Sequence, residues 1–134
     1  MRFLLDTNII SNLVRDPQGR ITANIARVGE ENVCTSIVVA AELRYGIVKR
    51  QAHRLAKDVQ RVLDIIEVMP FESPADKIYG EVRSQLESTG KPVGANDMLI
   101  AAHALASGCV LVTDNEEEFS HVEKLRIENW LRKP

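Results

Sequence analysis

Short apolar runs that read as strands alternate along this chain with longer segments of helical period, and no other feature limits the fold as much. The runs "FLL" at Phe3, "NVCTS" from Asn32, "IEVMPF" from Ile66 and "VLVT" from Val110 have the length and aliphatic content of buried strands. A fifth is read within "LRIEN", near Arg126. Between them lie helical patterns: "NIISNLV", the stretch from Ile21 to Val28, and "IVVAAELRYGIVKR" behind Ser36, a good N-cap. Three more run from about His53 to Ile66, from Ala75 to Ser88, and through "ANDMLIAAHALASG". Strands alternating with helices predict an α/β fold, a short, mostly parallel sheet of four to five strands with helices on both faces.

A chain of 134 residues is the size of one domain, so residues 1–134 are expected to share a single core. Only 4% of the residues are aromatic, so Leu, Ile, Val and Ala must fill that core, and an aromatic platform for stacking bases is not expected. A formal net charge of -2 argues against a strongly basic nucleic-acid glove, although it leaves local patches open. No apolar run suits a signal peptide or reaches the ~18 residues of a membrane span, which predicts a soluble, cytoplasmic chain. Cys34 and Cys109 each open a short strand-like run, have no CxxC spacing, and read as buried reduced thiols.

In open parallel sheets ligands gather beyond the carboxyl ends of the strands, where strand order reverses. Asp6 ends the first strand, and Thr113, Asp114 and Asn115 end the fourth; as neighbours, these two strands would turn their polar ends to one crevice. Two further acids interrupt apolar helical faces. Glu42 shares its face with Val38, Val39, Tyr45 and Gly46, and Asp97 shares its own with Ile100, Ala101 and Ala104. Inward carboxylates need a cation, hydrogen bonds or a shared proton, and one divalent metal would serve all three. Singly, each acid has another reading: Asp6 and Asn96 or Asp97 as helix caps, Glu42 as half of a salt bridge. Three together on one rim are harder to read that way.

The segments "LLDTNII", "VVAAELRYG", "PVGANDMLIAAHALA" and "LVTDNEEEFSHVEKLRIENW" closely resemble, in order and spacing, the four sequence blocks of PIN-domain ribonucleases, specifically the VapC toxins of bacterial toxin–antitoxin pairs. The resemblance implies the PIN fold, a three-layer α/β/α sandwich, and a metal-dependent endoribonuclease that uses Mg2+, with Mn2+ able to substitute. Carried over by position, the catalytic acids are Asp6, Glu42 and Asp97, with Asp6 and Asp97 as metal ligands. For the fourth block Glu118 is the choice, while Glu116 or Asp114 remain open. Asn8, Thr113 and Asn115 are supporting polar residues, with Asn8 read as orienting Asp6 or a water. Partners implied in the same way are an RNA substrate, a VapB-type antitoxin and a second copy of the chain, with a higher toxin–antitoxin complex also open.

Oxygen-only ligands suit Mg2+ or Mn2+, and water attacking in line would leave a 5' phosphate and a 3' hydroxyl. Glu42 would position that water or a second metal. A histidine mechanism is disfavoured, because His103 lies six positions after Asp97, some 240° around an ideal helix, and His53 and His121 fall elsewhere. From Arg44 to Arg61 six cations face one acid, Asp58. That flank, with Arg44, Lys49 and Arg50, reads as a phosphate contact, joined by Lys91 in the loop before Asp97; a solvated helix face or an antitoxin contact are the other readings. Two other function classes fit less well. A receiver-like signalling domain would need an acid pair at the first strand and a Lys after a late one, and a catalytically weak RNA- or antitoxin-binding protein would have no need of the acids.

Overall fold

The computed structural model describes residues 1–133. Five strands form one sheet: β1 (Arg2–Leu5), β2 (Val33–Ser36), β3 (Glu67–Met69), β4 (Cys109–Val112) and β5 (Ile127–Glu128). Their order is β3-β2-β1-β4-β5, and all four pairings are parallel. The first strand in the chain is therefore the central one. Leu4 pairs with Cys34 on one side and Leu111 on the other.

Parallel strands need crossovers, and the helices supply them. These are α1 (Thr7–Arg15), α2 (Arg20–Val28), α3 (Ile37–Arg50), α4 (His53–Ile65), α5 (Ala75–Ser88), α6 (Ala95–Ala106) and α7 (Glu116–Phe119). A 3-10 turn at Glu30–Asn32 precedes β2. The first two crossovers step outward from β1 to β3, and the third returns across the sheet to β4. Because right-handed connections in opposite directions lie on opposite faces, this reversal makes the α/β/α layering. It also puts the topological switch point between β1 and β4.

The core is aliphatic, as the low aromatic content requires. Leu4, Leu5, Ile9, Ile10, Ile100 and Leu111 are wholly buried, so truncating one such side chain to alanine should cost about 2–5 kcal/mol. Cys34 and Cys109 are buried free thiols whose sulfurs lie 3.9 Å apart on strands flanking β1. His103, from the inner face of α6, meets Ser36 Oγ at 2.7 Å and packs edge-on against Phe71. Burial holds its pKa below the ordinary value. This contact docks α6 where β2 passes into α3, and it occupies the imidazole away from the acids.

The segment "EEEF" forms the four-residue helix α7, which sends its three acids in different directions. The face of Glu42 also differs from expectation. Val39, Ala40 and Leu43 form the buried stripe of α3, Tyr45 is exposed, and Glu42 lies half-buried at the edge of that stripe, turned towards α1 and α6.

Candidate active site

Asp6 follows β1 and is the N-cap of α1, so both roles read from the sequence meet in one residue. Its Oδ1 accepts the Thr7 N–H at 2.8 Å, and its Oδ2 accepts the Thr113 hydroxyl at 2.7 Å. Its own N–H continues the ladder to Val112 O at 2.9 Å. The carboxylate is nearly inaccessible, at 3% exposure, and burial raises its pKa despite both hydrogen bonds, helped by the nearby charges of Glu42 and Glu118.

Asp97 lies in the first turn of α6, whose N-cap is Gly94; neither Asn96 nor Asp97 is the cap. Its pKa is pushed up to about 7, first by burial, then by the hydrogen bond it shares with Glu118 and by the charge of Asp6. Glu118 is displaced the other way. Burial opposes its charge, but the Gly94 N–H at 2.7 Å, Asp97 and the Asn115 amide all favour it and hold its pKa below the ordinary value. The two carboxyl groups are displaced in opposite directions, as expected of neighbouring acids that titrate together.

Glu42 joins from α3. It accepts the Thr7 hydroxyl at 2.5 Å and the Asn96 amide at 3.3 Å. Asp6, Glu42 and Asp97 then line one cavity of about 360 Å³ with Thr7, Asn8, Ser11, Arg15 and Asn115. The other two acids considered for the fourth position point elsewhere. Asp114 and Glu116 both accept from the Asn129 amide at 3.0 Å, and Glu116 also pairs with Arg132 at 2.8 Å.

The supporting residues divide their work. Thr113, fully buried, donates to Asp6 and accepts the Asn115 N–H at 3.0 Å, which fixes the turn after β4. Asn8 does not bond Asp6. Its Oδ1 accepts the Asp114 N–H at 3.1 Å and ties that turn to α1. Of the cations read as phosphate contacts, Arg44 donates to Gln60 on α4, Lys49 lies over the Tyr45 ring, and Lys91 is exposed before α6; Arg50 lines a cleft that adjoins the acids. The sequence reading missed Thr7, Asn96, Ser11 and Arg15. A signal for three of them was present, because Thr7, Ser11 and Arg15 are spaced i, i+4, i+8 and form a polar stripe opposite Ile9 and Leu13.

The donor set suits a hard divalent cation, since every ligating candidate is an oxygen and the pKa values of Asp6 and Asp97 are raised by burial first and by the neighbouring acids second, both of which a cation would offset. Among the described residues no group of three or more acid, histidine or cysteine side chains is placed to hold a metal ion as it stands. The carboxylates are directed instead to neighbouring hydroxyl and amide donors.

A cluster of acids at the switch point of a small parallel α/β sandwich defines a class of site, and comparison with known proteins gives the class its family. A family model described as PIN domain matches residues 3–125. The chain is 34% identical to Ribonuclease VapC2 of Rickettsia felis, covering 97% of this chain and 98% of that protein. It is 32% identical to the tRNA(fMet)-specific endonuclease VapC of Shigella flexneri, with the same coverage. Among solved structures it superposes on a chain of the DNA-bound VapBC2 crystal structure from Rickettsia felis with a TM-score of 0.91 at 33% identity, covering 97% of this chain and 99% of that one. The chain belongs to the PIN-domain family, among its VapC ribonucleases.

Proposed function

We propose that this chain acts as the toxin of a cytoplasmic toxin–antitoxin pair, a single PIN domain that hydrolyses RNA phosphodiester bonds with Mg2+, or Mn2+ in its place. The observation that carries the reading is the convergence of Asp6, Glu42 and Asp97 on one cavity at the switch point of the sheet, with Glu118 held beside them on the Gly94 N–H. Asp6 and Asp97 would hold the metal. When bound, Mg2+ supplies positive charge against the phosphoryl oxygens and lowers the pKa of a water that it holds.

The remaining steps fall to the chain's own residues. Thr113 and the Thr7 N–H fix the Asp6 carboxylate. Glu42, oriented by Thr7 and Asn96, accepts a hydrogen bond from the attacking water and aligns it with the phosphorus opposite the leaving 3' oxygen. Glu42, which holds that water, takes up the proton it releases. Cleavage leaves a 5' phosphate and a 3' hydroxyl.

Solved relatives are described as VapBC complexes, some bound to DNA. Two surfaces here suit protein partners. An apolar groove of about 390 Å³ between α1, α2 and α4, lined by Leu13, Ile25, Val62 and Ile65 among others, could take an apolar antitoxin segment. Ile37, Tyr45 and Val48 lie exposed along one face of α3, which suits a homodimer contact. No helix among the described residues is long and apolar enough to cross a membrane. The test is to map the RNA ends produced by the purified protein with Mg2+ and with EDTA. Cleavage that survives both EDTA and Asp97→Asn would overturn the reading.

A further inference from the structure

The acid-lined cavity does not end at the acids. Thr7, Ser11, Arg15 and Glu42 also line a second cleft of about 210 Å³ between α1, α3 and α4, whose floor is aliphatic and includes Val14, Leu43, Ile47 and Leu55. This space is smaller than the ~300–1,000 Å³ that binds whole small-molecule ligands, and it suits a single flat moiety. Arg15 and Arg50 line it too, both exposed, and among the described residues neither forms an ion pair. Gly46 is part of the same lining, in the interior of α3.

That glycine has no backbone role. Its φ is not positive, and a Cβ added there would meet no atom within 4 Å. Glycine in a helix interior is unfavourable relative to alanine, so the missing side chain has a cost that the fold does not explain. Gly80 in α5 has equally open surroundings, so space alone marks nothing. Gly46 differs because its missing side chain keeps open a cleft that adjoins the acids.

We infer that Arg15, Arg50 and the cleft beside Gly46 form a nucleotide subsite of the RNA substrate, the two arginines holding a phosphate next to the scissile one and the aliphatic cleft taking the attached base. The inference rests on the ribonuclease reading and deepens it. The occupant follows from continuity and charge: the cleft shares four residues with the acidic cavity, and two unpaired cations line a space that leads to where a phosphodiester must lie. An apolar floor accepts a base without hydrogen-bond partners, and the cations supply the sequence-independent attraction. The dipole of α1 also favours a cation at Arg15, its last residue, so only a measurement on RNA separates the two roles.

The experiment uses the full chain carrying Asp97→Asn, which prevents turnover, and a labelled single-stranded RNA of mixed sequence with Mg2+ across a salt series. In that background Arg15→Gln and Arg50→Gln should each weaken binding about tenfold and lower the slope of log affinity against log salt by about one, with Arg15→Lys restoring most of both. Gly46→Leu should weaken binding with an unchanged salt slope, because it fills the cleft without touching a charge. Thermal melts of all variants show whether the fold is intact. If the parent binds RNA and the arginine variants bind it equally well with the same slope, the subsite is overturned while the ribonuclease reading stands. If Gly46→Leu alone leaves RNA affinity unchanged, the base-binding role of the cleft is overturned. A parent that binds no RNA overturns the subsite, and the ribonuclease reading falls with it only if the unsubstituted chain also cleaves none with Mg2+.

Discussion

Thr113 Oγ1 lies 2.7 Å from Asp6 Oδ2, although 107 positions separate the two residues in the chain. Both are buried, and the same hydroxyl accepts the Asn115 N–H, so one side chain holds an acid on β1 and the turn that leads to Glu118. Thr113→Val, which keeps the shape but not the hydroxyl, should cost about 1–3 kcal/mol in urea denaturation, because a buried acceptor loses its donor. Cleavage should fall roughly 10–100-fold, the usual effect of removing an outer partner of a metal ligand. Thr113→Ser should recover most of both. A Thr113→Val protein with full activity would show that Asp6 needs no such support.

The acids should also make stability depend on pH. Asp97 has a pKa of about 7 in the folded chain against an ordinary 3.8, so the folded state binds a proton that the unfolded chain releases. Stability from this group is therefore full below about pH 4 and is lost as pH rises through about 7. Thermal melts in EDTA should fall across that window, and Asp97→Asn should flatten the decline. Millimolar Mg2+ should restore stability above pH 7, where the carboxylates are free to bind it. A flat profile in EDTA would contradict the raised pKa of Asp97.

Glu118 and Glu116 are two residues apart and should respond differently to the same substitution. Glu118→Gln removes the partner of Asp97 and should reduce cleavage at least about tenfold. Glu116→Gln breaks an exposed pair with Arg132 and should cost no more than about 1 kcal/mol, with cleavage retained. The reverse pattern in an end-mapping assay would move the fourth acid to Glu116.

Asp97→Asn in the purified chain should abolish cleavage, by at least about 100-fold, yet melt higher than the parent in EDTA near neutral pH, since it removes a crowded charge. Titration of Mg2+ against the melting temperature should then show a smaller response than in the parent. A variant that is both inactive and unfolded would fail this prediction.

How much of this was readable beforehand varies with the range of the contact involved. The strands and long helices follow from local pattern, and α5 occupies the expected span, Ala75–Ser88. Asp97 was legible because its helical neighbours Ile100, Ala101 and Ala104 are all buried, which local periodicity reports. Glu42 was legible as misplaced but not as to its surroundings, because Thr7 and Asn96 reach it from two other helices. The choice among Asp114, Glu116 and Glu118 depends on Asn129 and Arg132, which draw two of the three away. That competition lies in the C-terminal segment and leaves no trace in the spacing of "TDNEEEF". Arg15 escaped notice because a cation closing a helix has an ordinary explanation, and its place beside the acids exists only once α1 packs against α3.

The central position of β1 has a consequence for synthesis. Asp6 leaves the ribosome more than a hundred residues before its partner Thr113, the fourth strand and Glu118, so Asp6, Glu42 and Asp97 are all made before the strand that brings the site together. A chain broken off before β4 lacks the strand that pairs with β1 beside Asp6, so the acids it carries have no completed site to join.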